Sequence, residues 1–368
     1  MILTIPGMVD PHVHLRDLDW AHKSTFDSET AAALAGGYWA VFDMPNTPPT
    51  TTTRAGLDAK LNRFAAAAHC DYGVYFGADQ RGNQAEYPGA APDTIGMKIY
   101  CNETTGNLLI ADSLARQEHA LAWHEATGGP MAVHAEGETV TDLLDIMWQA
   151  QGRLKMHFCH ISTREEVEQL RRAKRSGGYG QISVGVCPHH LYLTQEDLPR
   201  LGPFGRMKPE LKTRDDAAAL WEGVMDGTVD VIESDHAPHT RAEKESDKPP
   251  FGVPGLETTL PLMGLAVHEG RITPERLIAL LATNAQRIFG ITPPPETTTT
   301  VDLSASSIID GRRLRTAPGW SPFEGMRVWG AVREVRIRGQ VAYDGEQVLT
   351  RPGSGRNVAH SAEKDRRA

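Results

Sequence analysis

Eight short, nearly continuous apolar runs set the terms for what this 368-residue chain can fold into. They lie at 7–14, 40–43, 72–76, 96–100, 131–134, 155–160, 181–186 and 229–234. Ala-rich or charge-rich stretches of helical pattern separate most of them, at 25–35, 55–68, 111–126, 139–151, 164–176 and 215–226. A strand that is apolar throughout must be covered on both faces, and helices between consecutive strands provide that cover in a parallel sheet. Eight such strands within roughly 230 residues predict an α/β fold of TIM type, a (β/α)8 barrel rather than an open sheet. The barrel is expected over 6–290, with two last helices at 255–269 and 273–289 after a charged, Pro-rich loop at 240–254. The run T-P-P-P-E-T-T-T-T at 292–300 reads as a connector of low complexity. Beyond it, 328–337 and 340–349, with Arg338-Gly339 at the turn, predict a small C-terminal β appendage, so that 291–350 is connector plus appendage. The polar tail, 351–368, is expected to be disordered.

Catalytic residues in such barrels gather at the C-terminal ends of the strands. His12 and His14 end the first strand, Lys98 lies on the fourth, His134 on the fifth, His160 on the sixth and Asp235 after the eighth. In H-V-H the two imidazoles point to one face, because side chains alternate along a strand. Neutral imidazole suits zinc. Lysine repels a cation as ammonium, but a deprotonated amine adds carbon dioxide to give a carbamate, an anion able to bridge two metals. Two metals roughly 3.5–4 Å apart can share a hydroxide, a nucleophile for a carbonyl carbon. Asp235 would then accept its proton and pass it to a leaving nitrogen, as general base and acid. Taken singly, Lys98 reads as an edge-strand lysine, the histidines as satisfied core residues and Asp235 as an N-cap. Jointly those readings leave six polar groups uncompensated at one buried end.

The bulk numbers narrow the class. A net charge of −9 gives no electrostatic footprint for nucleic acid or an anionic membrane, and no apolar run is long enough to span a bilayer. Cys70, Cys101, Cys159 and Cys187 are scattered without a paired framework, and the first residues lack a signal-peptide pattern, so a cytoplasmic protein is expected.

Several motifs in fixed order resemble dihydroorotase of the amidohydrolase superfamily, most nearly the dihydroorotase domain of the animal multifunctional pyrimidine-synthesis protein. They are Asp10-Pro11-His12-Val13-His14-Leu15-Arg16, Met44-Pro45-Asn46-Thr47, Lys98-Ile99-Tyr100, Val133-His134-Ala135-Glu136, Cys159-His160, Pro188-His189-His190-Leu191, Ser234-Asp235-His236-Ala237-Pro238-His239 and Pro254-Gly255-Leu256-Glu257-Thr258. The likeness extends to Trp320-Ser321-Pro322-Phe323-Glu324-Gly325 and the C-terminal strands. It implies two zinc ions per chain, one on His12, His14 and Asp235, the other on His134 and His160, bridged by N6-carboxylated Lys98. It also implies reversible cyclisation of N-carbamoyl-L-aspartate to L-dihydroorotate in pyrimidine synthesis, with Arg16, Asn46 and His239 at the positions that hold the substrate carboxylate. The resemblance leaves room for a homodimer and for association with a transcarbamoylase. Only Met1–Ile5 precede the first barrel strand, so the appendage is expected to come mostly from the C-terminus.

Three departures stand out. Lys208 replaces a carboxylate-binding arginine, keeping the charge without the planar fork. Thr105 replaces a phenylalanine in the loop over the substrate, which predicts less apolar cover. Gly185 replaces a glutamate in the strand before Pro188, which predicts that this carboxylate's role is lost. With that ligand gone, and Cys159 expected to face away from the mouth because it adjoins His160 on a regular strand, no third metal is expected beside Cys159 and Cys187. Competing readings are a hydrolase of another cyclic amide, such as a hydantoin or dihydropyrimidine, and a non-catalytic barrel that scaffolds a transcarbamoylase. Arg16 and Asn46 argue against the first, and the intact metal-ligand positions against the second.

Overall fold

The computed structural model describes residues 1–360. Strand β1 (Ile2–Pro6) is followed by eight strands in one parallel sheet: β2 (Met8–Val13), β3 (Tyr38–Asp43), β4 (Asp71–Gly77), β5 (Gly96–Tyr100), β6 (Met131–His134), β7 (Lys155–Phe158), β8 (Gln181–Val186) and β9 (Val231–Ile232), hydrogen-bonded in that order. A parallel bridge between Val13 and His236, with His14 N–H donating to His236 O at 2.7 Å, joins the first barrel strand to the last at the C-terminal end. The expected TIM-type barrel is present. All six residues of β2, all six of β3 and all five of β5 are buried, as a sheet covered on both faces requires.

Local chemistry starts and stops the outer helices. Thr25, Thr163 and Thr213 each cap a helix (Phe26–Ala35, Arg164–Ser176, Arg214–Asp226) by accepting from the N3 backbone N–H, while the N3 side chain reaches back. Gly128 ends Ser113–Thr127 in the left-handed region at φ 59°. Among the described residues, no helix is long and apolar enough to cross a membrane.

Strands β10 (Thr298–Ile308), β11 (Arg327–Ile337) and β12 (Gln340–Tyr343) form a second, antiparallel sheet in the order β1-β10-β11-β12. Arg338 and Gly339 turn at φ 54° and 75°, the positive pair that a tight hairpin needs. One expectation is corrected here. The threonine run read as connector supplies the start of β10, since its branched side chains pack well on a half-buried pleat. Its other partner is β1, register Ile2↔Asp302 through Pro6↔Thr298, so the appendage comes mostly from the C-terminus, as expected, with one strand from the N-terminus.

The tail expected to be disordered is ordered as far as His360. Gly355 N–H donates to Ala68 O, Val358 N–H to Tyr72 O, and Val358 and Ala359 are buried. This polar segment docks through backbone bonds to Tyr72 at the start of β4, ahead of the pairing with β5 that begins at Tyr75, which hydropathy does not register. The remainder of that expectation, 361–368, lies outside the described residues.

Candidate functional site

The residues singled out at the strand ends converge on one cavity at the C-terminal mouth, lined by His12, His14, His134, His160, Asp235 and Arg16 among others. His12 lies in β2 and His14 just beyond it; their Nε2 atoms each stand 3.3 Å from Asp235 Oδ1. His134 closes β6, and its Nδ1 faces His160 Nε2 at 3.1 Å. His160 and Asp235 leave their strands at φ 37° and 44°, and Arg16, Asp17 and Leu18 at 66°, 58° and 47°. Non-glycine residues in this region cost about 1–3 kcal/mol each and persist where the surroundings impose them. Here the turns swing side chains over the mouth.

Lys98, on β5, is fully buried, and its Nζ approaches Cys159 Sγ at 3.3 Å with no carboxylate paired to it among the described residues. This corrects the expectation that Cys159 faces away. Because β7 ends at Phe158 and His160 is left-handed, strand alternation no longer governs Cys159, and its thiol turns inward.

The site is built to present lone pairs. Burial, with Lys98 nearby, lowers His12 to about 4, and burial holds His14, His134 and His160 below their ordinary range. His14 Nδ1–H donates to Asn46 Oδ1 at 2.8 Å, which leaves Nε2 bare toward Asp235. Such a second hydrogen bond is what fixes a ligating imidazole. His160 Nδ1 is buried without a hydrogen-bond partner. The nitrogens of His12 and His14 and an Asp235 oxygen all lie within 4.8 Å of one another. A facing imidazole pair and a three-donor group are a donor set that fits metal binding better than the groups fit each other.

Asn46 Nδ2 donates to Thr105 O at 2.8 Å, so its amide serves His14 and the 104–105 loop. Thr105 Oγ1 donates to Phe251 O at 3.2 Å. The loop is thus held by polar contacts, and Phe251 is among the apolar residues that line the cavity. Lys208 also lines the cavity, its Nζ 5.3 Å from the centre of that ring.

Arg16 is buried, and burial lowers it to about 10. Its Nε donates to Pro238 O at 3.2 Å, and Nη1 has no partner. Nη2 stands 3.1 Å from His239 Nε2, but that nitrogen is 2.9 Å from Phe251 O, a carbonyl that can only accept. His239 Nδ1 in turn faces Lys23 Nζ at 3.0 Å and must accept. Nε2 therefore carries the proton, and both terminal nitrogens of Arg16 lack an acceptor.

Sequence reasoning missed Glu233, one residue beyond β9 and fully buried. Its Oε1 accepts from His160 N–H and lies 3.5 Å from His12 Nδ1, while Oε2 accepts from His157 Nε2 at 3.0 Å. Burial works to raise its pKa, but His12 and His157 hold it well below the usual carboxylate range. A Cβ built on Gly185 would stand 2.6 Å from the Glu233 carboxyl carbon. The carboxylate expected to be lost at position 185 is present, supplied by the neighbouring strand. The available signal was a lone glutamate in the apolar run V-D-V-I-E. Glu233, His12 and Cys159 also form a second buried donor group.

No family model matches the chain. The chain is 40% identical over 370 residues to the multifunctional protein pyr1-3 of Dictyostelium discoideum, covering 99% of itself but 16% of that protein's length. It is 32% identical over 398 residues to a dihydroorotase of Methanosarcina mazei, covering 96% of itself and 86% of that protein. Among solved structures, the L-hydantoinase of Arthrobacter aurescens superposes with a TM-score of 0.87 at 26% identity, over 97% of this chain and 88% of that one. Identity sustained along nearly the full length of a protein of similar size, on the same barrel, shows that the chain belongs to the dihydroorotase family.

Proposed function

We propose that the protein is a zinc-dependent dihydroorotase, interconverting N-carbamoyl-L-aspartate and L-dihydroorotate in the cytoplasm. His12, His14 and Asp235 would hold one ion, His134 and His160 the second, and Lys98, carboxylated on Nζ, would bridge them. When bound, the metal pair supplies Lewis acidity toward the amide carbonyl and lowers the pKa of water at the site. In ring opening, Asp235 accepts a proton from the attacking water and delivers it to the leaving ring nitrogen; in cyclisation the transfer runs in reverse. Arg16 grips the substrate carboxylate, held in place by its bond to Pro238 O and the packing of His239. Lys208 adds charge, Asn46 keeps the His14 lone pair aimed inward, and the 104–105 loop limits water.

The observation that carries this reading is Arg16, a buried guanidinium with two terminal nitrogens lacking acceptors beside Asp235. An anionic fork satisfies it, and a carboxylate is what dihydroorotate has and hydantoin and dihydrouracil lack. The test is to assay the purified, zinc-loaded protein on all three in parallel, with Arg16→Gln beside it. Dihydroorotate is expected to be strongly preferred, and Arg16→Gln to lose that preference. Equal turnover of dihydrouracil would overturn the substrate, and no turnover of any would favour a scaffold. Gel filtration with and without a transcarbamoylase reports on self-association and on that partner.

A further inference from the structure

A second group of metal-ligating side chains lies just past the end of β8, outside the set described above. Cys187 follows the strand, and the short helical turn Pro188–Tyr192 carries His189 and His190. All three are buried, at 0, 2 and 3% exposure. One ligand atom from each lies within 4.8 Å of the other two. The two imidazoles meet edge to face, with centroids 4.4 Å apart and planes at 64°.

The hydrogen bonding at these rings points to a ligand. His190 Nε2 is 2.9 Å from Pro209 O, which can only accept, so Nε2 carries the proton and Nδ1 the lone pair. That Nδ1 is buried with no hydrogen-bond partner. A ring that donates one nitrogen to a backbone carbonyl and bares the other is the arrangement found for metal-bound histidine. His189 Nε2 is likewise buried and unpartnered, and the Cys187 thiol forms no disulfide. Two orphaned imidazole nitrogens on adjacent residues are costly in a protein interior, and a cation held with the neighbouring thiol would relieve that cost.

We propose that Cys187, His189 and His190 bind a single borderline or soft divalent cation, zinc by preference, separate from the pair on His12, His14, Lys98, His134, His160 and Asp235. One thiolate and two imidazoles are a zinc-type donor set, with the fourth tetrahedral position left to water. Three atoms no more than 4.8 Å apart share a centre at most about 2.8 Å from each, and zinc bonds of about 2.3 Å to sulfur and 2.0–2.1 Å to nitrogen need each donor to close by less than ~1 Å. The thiol releases its proton to solvent as the cation binds, with no other bond made or broken. Gly185 offers no ligand at this place. The fold supplies two histidines instead. Through the His190–Pro209 bond, the cation would also steady the segment that carries Lys208 into the main cavity.

Cobalt(II) distinguishes this site from the pair, whose assigned ligands include no thiolate. Metal-depleted protein reloaded with cobalt(II) is expected to show a near-ultraviolet thiolate-to-cobalt charge-transfer band. The band should vanish in Cys187→Ser, and weaken or shift in His190→Gln, while Cys159→Ser keeps it. Elemental analysis of the dialysed zinc protein should show one metal fewer in Cys187→Ser than in wild type, with dihydroorotate turnover retained and any change confined mainly to KM. Circular dichroism establishes that each variant is folded, and the His190→Gln arm decides the matter if the serine variant is not. Absence of the band in wild type would overturn the proposal. So would a band that survives Cys187→Ser and disappears in Cys159→Ser, since the thiolate ligand would then be Cys159.

Discussion

Moving the Glu233 carboxylate back across the sheet tests the construction of the main site. In Glu233→Ala, His160 N–H and His157 Nε2–H lose their acceptor, and the contact with His12 Nδ1 goes with it. Orphaned buried donors cost about 1–3 kcal/mol each, so a folding loss of about 2 kcal/mol or more is expected. Removing an outer partner of metal-bound histidine costs about 10–100-fold in metal affinity or activity. Here one carboxylate serves a histidine from each half of the proposed pair, so the upper end of that range is expected. Glu233→Gln should be milder. The His160 N–H fixes the amide oxygen at the Oε1 position, and the amide NH2 then faces His157, which can shift its proton to Nδ1 and donate to Ser183 Oγ, 3.0 Å away. Only the charge is lost, and roughly a tenfold effect follows. The decisive variant adds Gly185→Glu to Glu233→Ala. A Cβ at 185 lies 2.6 Å from the Glu233 carboxyl carbon, and two C–C bonds of about 1.52 Å at a tetrahedral angle span roughly 2.5 Å. A glutamate at 185 therefore places its carboxyl carbon where that of Glu233 now sits. The double variant should recover at least tenfold in zinc affinity, read by competition with a chromophoric chelator, together with turnover. Gly185→Glu alone should be worse than the double, because two carboxylates would contend for one buried space. A folded double variant no better than Glu233→Ala would refute the reasoning.

Lys98→Ala should lose metal, as measured by elemental analysis, and nearly all dihydroorotate turnover, with partial rescue by a short carboxylic acid; two retained metals and near-normal turnover would sink the bridging role. Asp235→Asn should lower turnover by about 10²–10⁴-fold, since the amide cannot accept a proton, and a loss below tenfold would assign the proton to another group. Burial raises the Asp235 carboxyl above its ordinary value of 3.8. Ring opening, which uses the carboxylate as base, should therefore fall away as pH drops through that raised value and rise toward alkaline pH. Cyclisation, which uses the acid form, should be faster toward acid, and superimposable pH profiles in the two directions would contradict this proton assignment.

The sequence by itself determined the barrel and most of its mouth. Parallel strands covered on both faces leave apolar runs that need no partner information to recognise, and His12, His14, Lys98, His134 and Asp235 follow from strand order because side chains of a barrel end share one opening. Tertiary structure decided what depends on contacts between distant segments. Thr298–Ile308 is a strand because Ile2–Pro6 and Arg327–Ile337 flank it, and 351–360 is ordered because Tyr72, ahead of the pairing of β4 with β5, is open to it. Cys159 faces Lys98 because the chain turns left-handed at His160, which alternation along a strand cannot foresee. Glu233 reaches the place of a side chain missing at Gly185, and His190 bares Nδ1 because Pro209 O lies beside Nε2. Periodicity records which face a residue occupies on its own element. Which neighbour's atom stands opposite is fixed only when the strands are closed into a ring.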